Sequence, residues 1–574
     1  MGLVSKGKKK KLKSRPGGGG GGKRDNSDLR PTYSPKTPPC INDCPNHNDI
    51  RGALTYVAQS EMYERSYEES IKTAFGMLAK TNPFPGVCGR VCPHPCEARC
   101  NRAEVDHPMS INAFERFLGD YAIENGIELE KMPVDLGKGE KIAVIGAGPS
   151  GLSAAYQMAR RGYAVTVFEA FPKAGGMLRY GIPNYRLPEK VLDTEIERIA
   201  KLGVDIKLNT VVGKDVSFED LKKDYKAVYV GIGAHVGRGL RVDGEDAPNV
   251  MSGAKFLHII NSGDPVDIGD KVLVVGGGNT AIDAARVSRR LGADVTVVYR
   301  RTVQEMPAIE EEIKDAEDEG IKFEFLAAPI SFEKDGDRAT AMKCIRMELG
   351  EPDDSGRRRP VPIDGSEFII ESSFVIPAIS QEPDFSNMEE LREGRDWIKI
   401  DEFGRTKLEM IFAGGDDIEL WLVTGAIAQG RFAAEAMDKM IQGGEPVTPE
   451  KLTEILYTDK MDAEGKGHMM YLPHFEKKER ADVSHIPVEE RFGDDSLNKE
   501  VVPLALAMEQ AIEESKRCIS CGMCFRCGNC YNYCQDSAIV RPMEIEKPYY
   551  IKLDLCQGCK KCAENCPCGY VDMN

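Results

Sequence analysis

Residues 141–170, KIAVIGAGPSGLSAAYQMARRGYAVTVFEA, decide the fold. They read as a β-run, a glycine-rich turn, a helix and a second β-run. Gly146 permits the tight turn, Gly148 lets the backbone approach a pyrophosphate, and Gly151 lets helix and strand pack closely. The helix N-terminus then faces phosphates with its positive end and its unsatisfied N–H groups. Glu169 closes the second β-run, 18 residues after Gly151, where a carboxylate accepts hydrogen bonds from ribose hydroxyls. Gly175 and Gly176, just beyond it, join the candidate dinucleotide-binding residues.

Residues 271–301, KVLVVGGGNTAIDAARVSRRLGADVTVVYRR, repeat the pattern with Gly276, Gly278 and Ala281 in the same roles. This unit ends in Arg300 and Arg301 rather than in an acid. Arginine pairs with a 2′-phosphate that a carboxylate would repel, so the site is read as preferring NADPH, with NADH possible. The acid-tipped first unit suits FAD. A third stretch, MIFAGGDDIELWLVTGAIAQGRFAAEAM from residue 410, resembles the second FAD motif of two-dinucleotide flavoproteins. That resemblance implies that Asp416 binds the ribityl chain and that Gly414 and Gly415 let the backbone come close. The order of the three stretches predicts an α/β fold with tandem Rossmann-like domains. The FAD domain takes 140–250 and 385–445, and the NADP domain, 251–384, is inserted into it.

The chain has 574 residues, enough for three to five domains at roughly 150 residues each. Its net charge of −16 argues against a nucleic-acid binder. No run of apolar residues is long enough for a membrane span, and no apolar leader opens the chain, so a cytoplasmic protein is expected. Residues 1–24 carry nine Lys and Arg and the run Gly17 to Gly22. Such a segment buries too little apolar surface to fold, and residues 1–37 are expected to be a disordered tail. A helical iron–sulfur domain at 38–139, a helical linker at 446–515 and a ferredoxin-like α+β domain at 516–574 complete the division. The last is too small to hold a core without a metal or disulfide staple.

Cysteine is the informative count. Of the 18, six lie in 40–100, eleven in 518–568, and Cys344 stands alone between them as a buried small hydrophobe. Two clusters with an almost cysteine-free body between them point to metal ligation under reducing conditions. The same gap excludes a disulfide reductase, which needs a redox pair beside its flavin. Cys524, Cys527, Cys530 and Cys534 are spaced C-x2-C-x2-C-x3-C. Cys556, Cys559, Cys562 and Cys566 repeat this before Pro567. That is the two-cluster ferredoxin run, in which three thiolates of each run hold one [4Fe–4S] cube and the fourth crosses to the other. Cluster one takes Cys524, Cys527, Cys530 and Cys566; cluster two takes Cys556, Cys559, Cys562 and Cys534. Gln535 stands where proline is usual. On this register Cys518, Cys521 and Cys568 are spare thiols. The N-terminal group, Cys40, Cys44, Cys88, Cys92, Cys96 and Cys100, suffices for one cube but not for two held by cysteine alone. Structural thiols or zinc are the alternative for that group.

PPCINDCPNHNDI, GRVCPHPCEARCN, the two dinucleotide units and YRRTVQEMPA together resemble the glutamate synthase small subunit, a module shared with dihydropyrimidine dehydrogenase. The match runs over about 38–520. In that family the first motif holds four cysteines, C-x2-C-x4-C-x3-C-P, and only the last two remain here, as Cys40 and Cys44. The resemblance implies that one family cluster uses the first three of that motif and the position of Cys100, and this chain lacks two of these. It implies that the other uses Cys44, Cys92, Cys96 and an acid or amide that falls on Glu115. One N-terminal cluster is therefore expected, with Cys40, Cys88 and Cys100 as alternate ligands, making three cubes and about 12 Fe per chain. The appended ferredoxin looks like the subset that passes electrons to a separate redox enzyme, such as the DsrL-type flavoprotein partner of dissimilatory sulfite reductase.

Hydride from NADPH would pass to the flavin and leave as single electrons through iron–sulfur clusters, so no catalytic nucleophile or base is required. Glu305, in QEMPA, helps to order the nicotinamide domain or is a packing residue or a surface charge. The rival readings are a glutamate synthase small subunit proper and a redox-sensing protein that does not turn over.

Overall fold

The computed structural model describes residues 27–133, 139–353, 356–385, 388–393, 397–449, 459–460, 470–493, 495–502 and 504–574. The first β-run becomes strand Lys141–Ile145, whose four inner residues are buried. It is the centre of a five-stranded parallel sheet. Its neighbours are Ala164–Phe168, then Asp205–Lys207, on one side and Ala227–Val230, then Ile411–Ala413, on the other. Strands buried on both faces need near-continuous apolar runs, which KIAVI and AVYV supply.

A second parallel sheet, ordered Lys322–Phe325, Asp294–Tyr299, Lys271–Val275 and Phe374–Pro377, lies in sequence wholly between the fourth and fifth strands of the first. An antiparallel meander, Ala327–Asp335, Arg338–Pro352 and Arg358–Pro362, with Phe368–Glu371 on its flank, extends the inserted unit. Cys344 is buried within it, in an apolar core with Met342 and Phe332.

Residues 39–124 form a helical domain. Asp49 and Ser66 cap helices Ile50–Ala58 and Tyr67–Ala79 by accepting from the N–H groups of Gly52 and Glu69. Helices Pro85–Val91 and Ile111–Glu124 cross at glycines. A Cβ on Gly89 would stand 2.3 Å from the Arg116 backbone, and one on Gly119 would stand 2.4 Å from the Gly86 nitrogen. That close crossing sets Glu115 against the cysteine-bearing helix.

Two expectations need correction. Residues 27–37 are not tail: Pro31–Tyr33 pairs antiparallel with Val571–Met573, and Tyr33 stacks on Tyr570 at 5.3 Å. The basic, glycine-rich composition that forbids a core ends at Arg24, while PTY carries a ring that the C-terminal domain buries; residues 1–26 lie outside the described residues. The second correction concerns 446–515. From 470 to 507 the described residues form no α-helix, only 3-10 turns at Leu472–His474 and Val488–Arg491 and a turn at 495–498, before helix Met508–Ser515. Pro473 and Pro487 interrupt helical periodicity, and the strap is held by polar contacts to other domains. Arg290 donates to the carbonyls of Arg491 and Ser496 (3.2 and 2.6 Å), and Arg116 pairs with Glu500 at 2.8 Å.

Candidate functional site

Helix Pro149–Arg160 starts at Gly148 with no side-chain cap, so its first N–H groups are left for another acceptor. Gly146, Gly148, Glu169, Gly176, Gly414, Gly415 and Asp416 all line one cavity beside that helix. Gly151 lies behind it, where a Cβ would stand 2.0 Å from the Gly146 carbonyl oxygen. Gly175 donates its N–H to Ala147 O at 2.8 Å and folds the 170s turn over the glycine-rich loop. Glu169 accepts from the N–H groups of Ala147 (2.7 Å) and Phe171 (2.9 Å), which fixes its carboxylate at the cavity wall. Burial outweighs those bonds and raises its pKa. Burial likewise pushes Asp416 up to about 6, against one N–H from Trp421. Helix Val423–Ile441 also begins without a side-chain cap, and Val423 and Ala426 line the same cavity. No cysteine is among the lining residues.

The second glycine-rich turn has the same form. Gly278 starts helix Asn279–Arg290 without a side-chain cap, and a Cβ there would meet nothing within 4 Å, so space is open for a ligand's backbone-side approach. Gly276, with φ +148°, has the Ala378 carbonyl 2.3 Å from its would-be Cβ. Ala281 is fully buried against the turn. The two arginines part company. Arg300 is exposed. Arg301 is only 4% exposed; it pairs with Asp353 at 2.7 Å and donates to the Arg358 carbonyl at 2.6 Å. The expectation that Arg301 reads a 2′-phosphate is therefore corrected: its guanidinium is committed to the meander. Glu305 is a positioning group. Its carboxylate accepts from Thr302 N–H (3.1 Å) and Arg358 (2.9 Å), and the Tyr299 hydroxyl donates to its carbonyl (2.8 Å). Ala308 N–H then reaches Gly277 O at 3.2 Å, so this loop buttresses the glycine-rich turn.

Sequence reasoning missed the aromatic group between the two dinucleotide units. Phe171, Met177, His235 and Val236 line both the flavin-side cavity and a second cleft that adds Tyr180, Lys255 and His258. Tyr180 stacks on His258 at 4.5 Å, and Phe171 lies 4.9 Å from the same ring. Burial lowers both imidazoles, His235 to about 4. Only the tertiary fold brings these separated residues together.

The cysteines form four groups. Cys44, Cys88 and Cys92 lie near Glu115, and Cys96 lies near Cys44 and Cys92. Burial pushes the thiols of Cys44 and Cys92 up to about 11 and about 12, with Glu115 adding to both. Burial also raises Glu115 to about 8, partly offset by the amide of Asn82, which donates to it at 2.9 Å. The Cys92 sulfur lies 3.4 Å from the Thr424 hydroxyl, on the helix that walls the flavin-side cavity. Cys88 is fully buried in the core one turn before Cys92. At the C-terminus, Cys524, Cys527, Cys530 and Cys566 line one cavity, with Tyr33 and Cys568; Cys534, Cys556, Cys559 and Cys562 line another. In each set, three thiols of one run are brought beside the fourth thiol of the other. Cys568 lies 3.8 Å from the Cys566 sulfur. The fourth group revises two expectations. Cys40 and Cys100, expected as alternates for the first group, line a separate cavity with Cys518 and Cys521, expected as spares. Among the described residues, no three His, Cys, Asp or Glu side chains are closed tightly enough to hold a single metal ion; a cube, larger than an ion, stands its four thiolates further apart.

Residues 140–430 match the family model for pyridine nucleotide-disulphide oxidoreductases, and residues 32–127 match that for dihydropyrimidine dehydrogenase domain II, 4Fe-4S cluster. The chain is 42% identical over 446 residues to the NADP(+)-dependent formate dehydrogenase subunit beta of Moorella thermoacetica, covering 72% of this chain and 61% of that one. It is 37% identical over 519 residues to the NADPH-Fe(3+) oxidoreductase subunit beta of Geobacter sulfurreducens, covering 84% and 75%. It is 36% identical over 428 residues to the glutamate synthase [NADPH] small chain of Escherichia coli, covering 70% and 88%. The chain thus spans somewhat under two thirds of the first of these relatives.

Proposed function

The chain belongs to the pyridine nucleotide-disulphide oxidoreductase family, on the branch it shares with glutamate synthase small chains and NADPH-dependent iron–sulfur oxidoreductase subunits, and from that premise we propose that it moves electrons between NADPH and a separate redox enzyme. Its cofactors are FAD, NADPH and [4Fe–4S] clusters. FAD, when bound, supplies the exchange between a two-electron hydride and the single electrons that iron–sulfur clusters carry.

The residues fit these groups. The uncapped helix starts at Gly148 and Gly278 hold the pyrophosphates by backbone N–H groups. Glu169 and Asp416 hold the ribose and ribityl hydroxyls, and Arg300 holds the 2′-phosphate. Phe171, Tyr180 and His258 pack together where the two cavities adjoin, and burial disfavours charge on both imidazoles. Cys44, Cys92, Cys96 and Glu115 hold one cube, and the two ferredoxin sets hold two more.

The observation that carries this reading is the 3.4 Å contact of Cys92 with Thr424, because it sets a thiol site directly behind the flavin-side helix. The exit is the ferredoxin domain, and we place the acceptor there. A dissimilatory sulfite reductase as acceptor, a formate dehydrogenase catalytic subunit as donor toward NADP+, and a glutamate synthase large chain as acceptor are the partner classes that the resemblances suggest. The ferredoxin cysteine sets favour the first two over the third. Anaerobic co-purification identifies the partner, and Cys559→Ser tests the exit. NADPH-dependent dye reduction should persist in that variant while delivery to the co-purified partner falls at least tenfold. Undiminished delivery would show that electrons leave elsewhere.

A further inference from the structure

We propose that Cys40, Cys100, Cys518 and Cys521 hold a fourth [4Fe–4S] cluster, assembled between the N-terminal domain and the loop that leads into the ferredoxin domain. The proposal rests on the reading of the other thiol groups as cluster sites and goes beyond it, since it assigns a ligand set made from two distant parts of the chain.

Four thiols line one cavity, and the rest of its wall is mainly apolar: Pro38, Leu54, Met109, Ile111 and Ile519. The cavity measures ≈ 20 Å³, like the ≈ 20 and ≈ 10 Å³ of the two ferredoxin cavities. The pair Cys518 and Cys521 is spaced C-x2-C. This is the spacing of the two cysteines that the family's first motif has and this chain lacks, so a pair from the far end of the sequence restores the missing half of the set.

The loop is anchored where it must be to do so. Arg51, buried at 2% exposure, donates at 2.7 Å to the carbonyls of both Cys521 and Lys36. Arg102 donates to the Arg517 carbonyl at 2.9 Å, and Arg517 pairs with Asp106 at 2.8 Å and Glu514 at 2.6 Å. Backbone and amide donors point at the sulfurs, as a thiolate-bound cluster requires. Ser520 N–H lies 3.4 Å from Cys518, Asn101 Nδ2 3.4 Å from Cys521, and Met109 N–H 3.5 Å from Cys100.

The site also fills a gap. Cys40 is four residues from Cys44, and Cys100 four from Cys96, which belong to the flavin-side group; Cys521 is three residues from Cys524 of the ferredoxin. Adjacent groups are thus joined by short covalent steps from the flavin cavity to the exit. Without a carrier here, the first group and the ferredoxin would be separated by an apolar pocket.

The test is metal and acid-labile sulfide analysis of the full chain, isolated and reconstituted anaerobically, with low-temperature EPR of the dithionite-reduced protein. About 16 Fe per chain is expected, four cubes of four, with negligible zinc. The double variant Cys518→Ser/Cys521→Ser should fall to about 12 Fe and lose one cluster's EPR signal while FAD content stays unchanged, whereas Cys568→Ser should keep 16. Wild-type protein with about 12 Fe, unchanged in the double variant, would overturn the proposal and leave the three-cluster reading standing. So would 12 Fe with one zinc that the double variant loses. Fewer than 12 Fe in wild type would overturn the three-cluster reading itself. If the double variant does not fold, the wild-type iron and zinc counts decide alone.

Discussion

At the scale of single residues, Arg300 and Arg301 are adjacent and chemically identical, and the fold separates them. Arg301 is spent on Asp353 and a carbonyl; Arg300 faces solvent at the end of the second unit's strand. Arg300→Glu should therefore raise the KM for NADPH by roughly 10- to 100-fold, the loss of one charged hydrogen bond at about 1.5–3 kcal/mol, and leave the KM for NADH nearly unchanged. Arg301→Glu should instead lower Tm and affect both nucleotides alike. Equal effects of Arg300→Glu on the two KM values would remove it from phosphate recognition. The glycines and Glu169 were legible in the sequence because a turn, a helix start and a strand end fix their relative positions locally. Phe171, His235 and His258 were not, since no local spacing links them. The role of Cys518 and Cys521 was hidden for a related reason. A ladder with a constant step of three does not say where one site ends and the next begins, and their partners lie more than 400 residues away.

At the scale of elements, the two parallel sheets and the insertion follow from apolar runs and motif order. The strap at 470–507 does not, because side-chain contacts to distant helices hold it in place of its own periodicity. The clearest such contact is a buried charge network. Glu319 accepts from Arg286 (2.7 Å), Arg290 (2.8 Å) and Arg491 (3.2 Å), joining the helix Asn279–Arg290 to the strap. Burial alone would push Glu319 up, but Arg286 and Arg290 outweigh it and hold the carboxyl below its usual range. Asp315 is held low in the same way, with His485, Arg286 and Arg491 against burial. A depressed folded pKa contributes stability that is present above the unfolded-state value and is lost as pH falls through the folded one. The wild-type Tm should accordingly drop as pH is lowered below the ordinary carboxylate range. Glu319→Gln should cost about 3–5 kcal/mol at neutral pH, because three guanidinium groups lose their shared buried partner, and should flatten that acid limb. A variant with wild-type Tm and an unchanged acid limb would show that the network does not tie the strap down.

At the scale of the molecule, residues 30–36 meet residues 569–574. Pro31–Tyr33 completes the ferredoxin domain through Val571–Met573, and Lys36 pairs with Asp572 at 2.6 Å. The ferredoxin is thus clamped to the body from both ends of the sequence, and the loop at 517–524 runs along the helical domain between them. Such a clamp suits fixed distances between redox sites better than a swinging carrier. The net charge of −16 favours a partner with a basic docking face. The central claim is that NADPH, flavin and clusters form one conducting path, and it is tested most directly by anaerobic stopped-flow and freeze-quench EPR of the full chain mixed with NADPH. The account predicts bleaching of the flavin band, followed within the same turnover by EPR signals of reduced [4Fe–4S] clusters, two electrons appearing per NADPH consumed. Flavin bleaching with every cluster left oxidised, although dithionite can reduce them, would contradict it.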